Sequence, residues 1–259
     1  MPPPPVRRAV LLGASNVTNS LRHIVSILGR QAGGPVEILA ACGHGRSYGG
    51  WSSFLGLRHL PGIVGSGLWR ALAARRLRQP LPTVALLTDI GNDLAYGEPV
   101  ERIVSWVERC LHELADCPAA TLLTLLPIAR LERLTPWQFR LASAVLFPTR
   151  TLVHAPLLSQ AHALDAELRR LGREAGAAVV EPDPAWFGLD PVHLRRGLAR
   201  QAWDSILGSW PEEQQGETAR GVGRLPWPLR AEEARLLRWT VLTPQPCARL
   251  ADGTSLSLY

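Results

Sequence analysis

A repeated alternation constrains the fold of this chain more than any other feature. Short apolar runs are separated by longer segments in which apolar residues recur at helical spacing. The runs at Ala9 to Leu12, Val36 to Ala41, Val84 to Leu87, Thr121 to Leu126 and Ala177 to Val180 read as strands. Between them, the spacing predicts helices over Leu21 to Gln31, Leu68 to Leu77, Val100 to Ala115, Trp137 to Leu146 and Ser159 to Ala175. Unbroken apolar strands are buried on both faces, and helical crossovers make consecutive strands parallel. The expectation is therefore an α/β protein, a three-layer α/β/α sandwich around a five-stranded parallel sheet.

A length of 259 residues suits one main domain with an appendage. Residues 1–7 form a Pro-rich start expected to be disordered, and residues 8–210 carry the alternation, ending in a closing helix from Leu194 to Leu207. Residues 211–259 read as a C-terminal extension. In it, Pro211 to Pro228 has the composition of a linker, and Leu236 to Tyr259 suits a hairpin around Ala251-Asp252-Gly253-Thr254.

Composition removes several function classes. With 46% hydrophobic and 19% charged residues, the chain is neither disordered nor fibrous. No apolar run reaches the roughly 20 residues of a membrane span. The net charge of +6 would suit a polyanionic partner, yet all 28 basic residues are Arg and they are scattered. Nucleic acid is therefore not the expected partner. Cys42, Cys110, Cys117 and Cys247 lack metal-ligand spacing and are too few for a disulfide framework, so reduced thiols and no metal are expected. No secretory signal pattern opens the sequence, which reads as cytoplasmic.

In a parallel α/β sheet, reactive groups collect at the carboxyl ends of the strands, where loops and helix amino-termini converge. The first three strand ends read Gly13-Ala14-Ser15-Asn16, Cys42-Gly43-His44-Gly45-Arg46-Ser47 and Thr88-Asp89-Ile90-Gly91-Asn92-Asp93. All are rich in small and polar residues. Acyl-bond hydrolysis needs a nucleophile, a base, a group that orients the base, and donors aimed at the developing oxyanion. Ser15, between a strand and a helix, suits the nucleophile, although a Ser or Asn there also suits a helix cap. Asp190 lies three residues before His193 and can accept its Nδ1–H, leaving Nε2 as a base; Asp-Pro before a helix is also ordinary capping chemistry. The backbone N–H groups of Ser15 and Gly45 and the side-chain amide of Asn92 would supply three oxyanion donors, each worth about 3 kcal/mol. Gly43 is the alternative to Gly45, and both glycines and Gly91-Asn92-Asp93 also read as plain turns.

Taken in order, Gly-x-Ser, the Gly-rich loop, Gly-Asn-Asp and Asp-x-x-His resemble the SGNH hydrolases, also called the GDSL esterase/lipase family, over about Arg8 to Leu207. The resemblance implies a flavodoxin-like sheet of strand order 2-1-3-4-5, no cofactor, and a small acyl-ester substrate. It also implies Ser15 as nucleophile and oxyanion donor, Gly45 and Asn92 as further donors, His193 as base and Asp190 as its partner. Four positions depart from the family pattern: Ala14 replaces the usual Asp and Asn16 the usual Leu-like residue, Ile90 stands where Gly is common, and Ala40 where an Asn is frequent. Ser15 does not sit in the Gly-x-Ser-x-Gly elbow of the α/β-hydrolases, since Asn16-Val17 follows it. A non-catalytic binding or scaffolding module on the same fold is the alternative. His44, Arg46, Tyr48, Asp89, Asp93 and Tyr96 are expected near the crevice, with Asp93 a structural acceptor.

Overall fold

The structure is a computed structural model that describes residues 3–54, 58–117, 119–148, 150–210, 225–226, 228–237 and 239–259. Most of the segment read as a linker, Pro211 to Pro228, lies outside the described residues.

Parallel strands β1 (Arg7–Leu12), β2 (Val36–Ala41), β5 (Thr83–Leu87), β6 (Ala119–Thr124) and β7 (Ala178–Val180) are the five expected ones. They lie in the order β2-β1-β5-β6-β7, the expected 2-1-3-4-5 when counted along the chain. The sheet itself has seven strands, not five. Strand β11 (Ser255–Leu258) runs parallel to β2, and β10 (Ala248–Arg249) pairs antiparallel with β11 as the outer strand of the hairpin. The expected count was short because Ser-Leu-Ser-Leu is too brief and too polar to read as a buried strand. Its serines nonetheless face a closed environment, with Ser257 fully buried and accepting a hydrogen bond from Arg75 Nη2 at 3.0 Å.

Alternate strand residues feed two cores. Val10, Leu12, Leu39, Ala85 and Leu87 meet α2 (Leu68–Arg78), α4 (Val100–Ala115) and α7 (His154–Glu174). Ala9, Leu11, Ile38, Val84 and Leu86 meet α1 (Ser15–Ala32) and α8 (Ala199–Gly208) on the other face. Period-two alternation buried on both sides is what produces three layers. Three short helices, α3 (Asn92–Ala95), α5 (Ile128–Glu132) and α6 (Pro136–Leu146), sit beyond the strand ends. No helix among the described residues is long and apolar enough to cross a membrane.

A second, four-stranded antiparallel sheet was not foreseen. It orders β3 (Ser52–Phe54), β4 (Arg58–Leu60), β8 (Glu233–Leu236) and β9 (Trp239–Leu242), so the segment after residue 228 is joined to the loop that follows β2. Two helix boundaries also differ from expectation. Helix α1 begins six residues earlier than its apolar period, at Ser15. The closing helix begins only at Ala199, because Leu194 is held in an extended bridge to Phe187 and the Arg195 N–H donates to Trp186 O at 2.9 Å.

The loop after β2 is closed by glycine contacts. A Cβ on Gly62 would lie 2.2 Å from Gly49 O, and one on Gly49 would overlap the Trp106 ring. The Gly62 contact is with backbone and cannot yield by rotating a side chain. Gly62→Ala is therefore expected to destabilise the protein by about 1–3 kcal/mol, read as a lower denaturation midpoint at unchanged slope.

Candidate active site

The first strand turns sharply into α1, and the amino-terminus of that helix is not capped by its own residues. Its N-cap, Ala14, makes no side-chain cap bond. The cap comes from Asp89, at the end of the neighbouring strand β5: its Oδ2 accepts from Ala14 N at 2.8 Å and from Asn16 N at 3.2 Å. Asp89 holds a φ of +59°, a left-handed conformation that costs a non-glycine residue energy and is kept only where other contacts enforce it. The carboxylate missing at Ala14 is thus supplied from 75 residues downstream. Burial pushes the Asp89 carboxyl up, against its bonds from the Asn16 amide and the Ala14 N–H.

Ser15 is freed from capping by this arrangement. It is buried, it is the first residue of α1, and among the described residues neither its hydroxyl nor its N–H is engaged in a hydrogen bond. An unengaged N–H at a helix amino-terminus is a ready anion donor.

Asn16 ties this terminus to the far end of the chain. Its Nδ2 donates to Asp89 Oδ1 at 2.7 Å and to Val192 O at 2.9 Å, and its Oδ1 accepts from Leu194 N at 3.0 Å. The two residues flanking His193 are therefore both bonded to the residue following Ser15. Within that segment, His193 Nδ1 lies 2.7 Å from Asp190 Oδ2, while Asp190 Oδ1 accepts from the N–H groups of Val192 and His193 at 2.8 and 3.1 Å. The Asp190 bond holds the imidazole above its ordinary value of 6.5, against the effect of burial and with added help from the Asp89 charge. Burial works against the charged form of Asp190, but the His193 ring and the two N–H groups prevail and hold its carboxyl below the usual range.

Asn92 opens α3 at the end of β5 and is buried, and its Nδ2 has no hydrogen-bond partner among the described residues. A buried amide left unpaired costs about 1–3 kcal/mol, which marks a group kept for a ligand or for water. Next in sequence, the fully buried Asp93 accepts from Tyr48 N at 2.8 Å, the structural role expected of it. Burial lifts its carboxyl to about 6, against the opposing Ser47 hydroxyl and Tyr48 N–H.

The turn after β2 is pinned on several sides. Arg46 N donates to Gly43 O at 3.1 Å, and Gly45 takes the positive φ, +64°, that the third residue of such a turn requires. Tyr96 Oη donates to Gly45 O at 2.7 Å and would lie 2.7 Å from any Cβ at that position. The Gly43 position, in contrast, is explained by packing, since a Cβ there would meet Leu60 Cδ1 at 2.4 Å. Arg46 turns inward, fully buried, donating to Cys42 O, Pro61 O and the Tyr259 carbonyl, and burial brings its guanidinium down to about 10. His44 bonds Asn19 at 3.1 Å, and burial, Arg58 and His193 all lower its affinity for a proton.

All five candidate residues therefore stand at the carboxyl end of the sheet. A cavity of about 120 Å³ opens there, walled by Asn16, Asp89 and Asn92 on the polar side and by residues such as Val192, Leu126 and Phe139 on the apolar side. Ser15, Gly45, Asp190 and His193 are not among the lining residues, although Asn16, Val192 and Leu194, the neighbours of Ser15 and His193, are. The clamp by Asn16 and the cap by Asp89 escaped sequence reasoning, because their partners lie 73–178 residues away, beyond the reach of any local motif.

No protein-family model matches this chain, and no curated protein matches it in sequence. Solved structures similar to it include a carbohydrate acetylesterase family member from Sinorhizobium meliloti, at 21% identity over 77% of this chain and 95% of that one, with a TM-score of 0.48. Est24, a carbohydrate acetylesterase from the same organism, is 13% identical over 78% of this chain and 97% of its own, with a TM-score of 0.49. The aryl esterase of M. smegmatis is 13% identical over 80% of this chain and 97% of its own, with a TM-score of 0.46.

Two tests follow from the geometry. Asn16→Leu removes both bonds around His193, so the Leu194 amide should exchange its hydrogen at least about tenfold faster, given about 1 kcal/mol or more per lost bond. The second concerns Asp93, whose folded value near 6 exceeds the unfolded value of about 3.9, so ionisation opposes folding. Its contribution to stability is fully present below about pH 4 and is lost as the pH rises through about 6. Asp93→Asn, which can still accept from Tyr48 N, should flatten that part of the stability curve relative to the unmodified protein.

Proposed function

We propose that this protein is a serine hydrolase of the SGNH type, cleaving a carboxylic ester through an acyl-enzyme. The observation that carries this reading is the clamp by Asn16, which bonds both neighbours of His193 to the residue after an uncapped, unengaged Ser15. An Asp190–His193 pair beside a hydroxyl at a helix amino-terminus is the constellation that nucleophilic acyl transfer requires.

In the attack step, Ser15 Oγ bonds to the ester carbonyl carbon while its proton passes to His193 Nε2. Asp190 holds the ring through Nδ1 and stabilises the imidazolium. The tetrahedral oxyanion rests on the N–H groups of Ser15 and Gly45 and on Asn92 Nδ2, whose lack of a partner in the free protein fits that task. The leaving alcohol takes the proton back from His193, and the acyl group stays on Ser15. Water then gives a proton to His193 as it attacks the acyl carbon, and that proton passes to Ser15 Oγ as the Oγ–C bond breaks and the carboxylic acid leaves. The apolar cavity next to Asn92 receives the acyl chain. At about 120 Å³ it approaches the 150 Å³ or so of a cavity that holds benzene, so it suits an acyl group well beyond acetyl. A hexanoyl ester should be favoured over the acetyl ester of the same alcohol by at least about tenfold in kcat/KM.

A fluorophosphonate probe is expected to label Ser15, as located by peptide mass spectrometry. Labelling should vanish in Ser15→Ala and His193→Ala; no labelling of the folded parent protein would end the proposal. Asn92→Ala should lower kcat by about 10² to 10³ if it donates to the oxyanion. The base must be neutral to accept a proton, and Asp190 raises its value, so kcat/KM should climb with pH through a midpoint above 6.5. Asp190→Asn should move that midpoint downward as well as slow the reaction.

A further inference from the structure

Helix α6 is oriented against the usual logic of an amphipathic surface helix. Its caps are its own: Thr135 and Gln138 form a reciprocal capping box with Pro136 in the first turn. Phe139 and Ser143 turn inward and line the cavity beside Asn92. Trp137, Leu141 and Val145, spaced by four residues on one face, turn outward and are 62%, 54% and 72% exposed. Leu189, 59% exposed, continues this stripe, and the shallow groove between it and α6 reaches Asp190. The exposed apolar face is thus continuous with the rim of the site.

Charge identifies what such a face meets. From Arg133 to Leu164 the sequence has no Asp or Glu. Arg133, Arg140 and Arg150 are exposed there, and among the described residues none of the three is in an ion pair. An apolar stripe opened by Trp and flanked by arginines is the composition of a helix that lies in a lipid interface, with the apolar side among acyl chains and the cations among anionic headgroups. Because α6 is already folded on its scaffold, it pays no ordering cost on docking.

From this combination we infer that α6 docks on an anionic lipid surface, and that the site draws ester substrates from that surface rather than from bulk water. The docking stands apart from catalysis; the substrate part rests on the hydrolase reading. Docked in this way, the outer face of α6 and the Asp190 rim share the interface, and an acyl chain reaches the cavity behind Phe139 without crossing water.

The test is co-sedimentation of the full chain carrying Ser15→Ala with vesicles of phosphatidylcholine mixed with phosphatidylglycerol, so that binding is scored without turnover. Binding is expected, and it should weaken on the order of a hundredfold when Arg133, Arg140 and Arg150 are all changed to Gln. It should be lost when Trp137, Leu141 and Val145 are all changed to Ser. All six side chains are exposed, so the thermal melting of both variants should match the parent. Absence of binding, or binding that survives the serine changes, would overturn the inference. So would a dimer seen by light scattering that ignores vesicles and dissolves on Trp137→Ser, since the face would then belong to a second copy of the chain. Vesicle binding without fluorophosphonate labelling at Ser15 would remove the hydrolase reading alone, and labelling without vesicle binding would remove the docking alone.

Discussion

The site depends on one carboxylate held in an unfavourable backbone conformation. Asp89 closes the amino-terminus of α1, orients the Asn16 amide, and acts electrostatically on His193. Asn16 in turn fixes the backbone on both sides of that imidazole. A strand end, a helix start and a loop from late in the chain are thereby locked into one polar assembly. Such a network is strong when every member is satisfied and costly when one is removed. The positive φ at Asp89 is the strain the assembly sustains in order to aim a carboxylate at a neighbouring helix.

The strands of the parallel sheet were legible because burial on both faces demands unbroken apolar runs, and this demand survives at the level of Val36 to Ala41 or Thr83 to Leu87. The carboxyl-end rule then pointed to the loops that carry Asn16, Asp89 and Asn92, which wall the cavity. What stayed hidden was set by tertiary context. The Ser-Leu-Ser-Leu strand is stabilised by pairing with β2 and by Arg75, neither visible locally. The early start of α1 came from a cap in another strand, and the late start of α8 from the bridge at Leu194. In the site, Ser15, Asn92, Asp190 and His193 lay in short motifs, and Gly45 is accounted for by its positive φ. Asn16 and Ala14 looked like departures from a pattern; in the structure their meaning lies in Asp89, a residue no local spacing connects to them.

The two walls of the crevice are built on different principles. The wall of α1, Asp89 and the Asp190–His193 segment is a network of charge-assisted hydrogen bonds with defined directions. The wall of α6 and Leu126 is apolar and owes its shape to packing, which tolerates changes of volume better than a hydrogen-bond network tolerates the loss of a partner. The two walls can therefore vary independently. Changes at Phe139 or Ser143 alter the space in the cavity while leaving the hydrogen bonds around Asn16, Asp89 and Asp190 in place.

Strand β11 joins the sheet beside β2, with Leu258 paired to Ala40 across more than two hundred residues of intervening chain. During synthesis, β2 therefore emerges and remains an open edge until residues 255–258 have followed it. An apolar parallel edge is a template for pairing with other chains, and contacts of such long sequence separation form slowly. Over the same interval the Arg46 guanidinium lacks the Tyr259 carbonyl, and the turn carrying Gly45 is missing one of its supports. The turn carrying Gly45 thus gains its last support only after a segment more than two hundred residues downstream has been made.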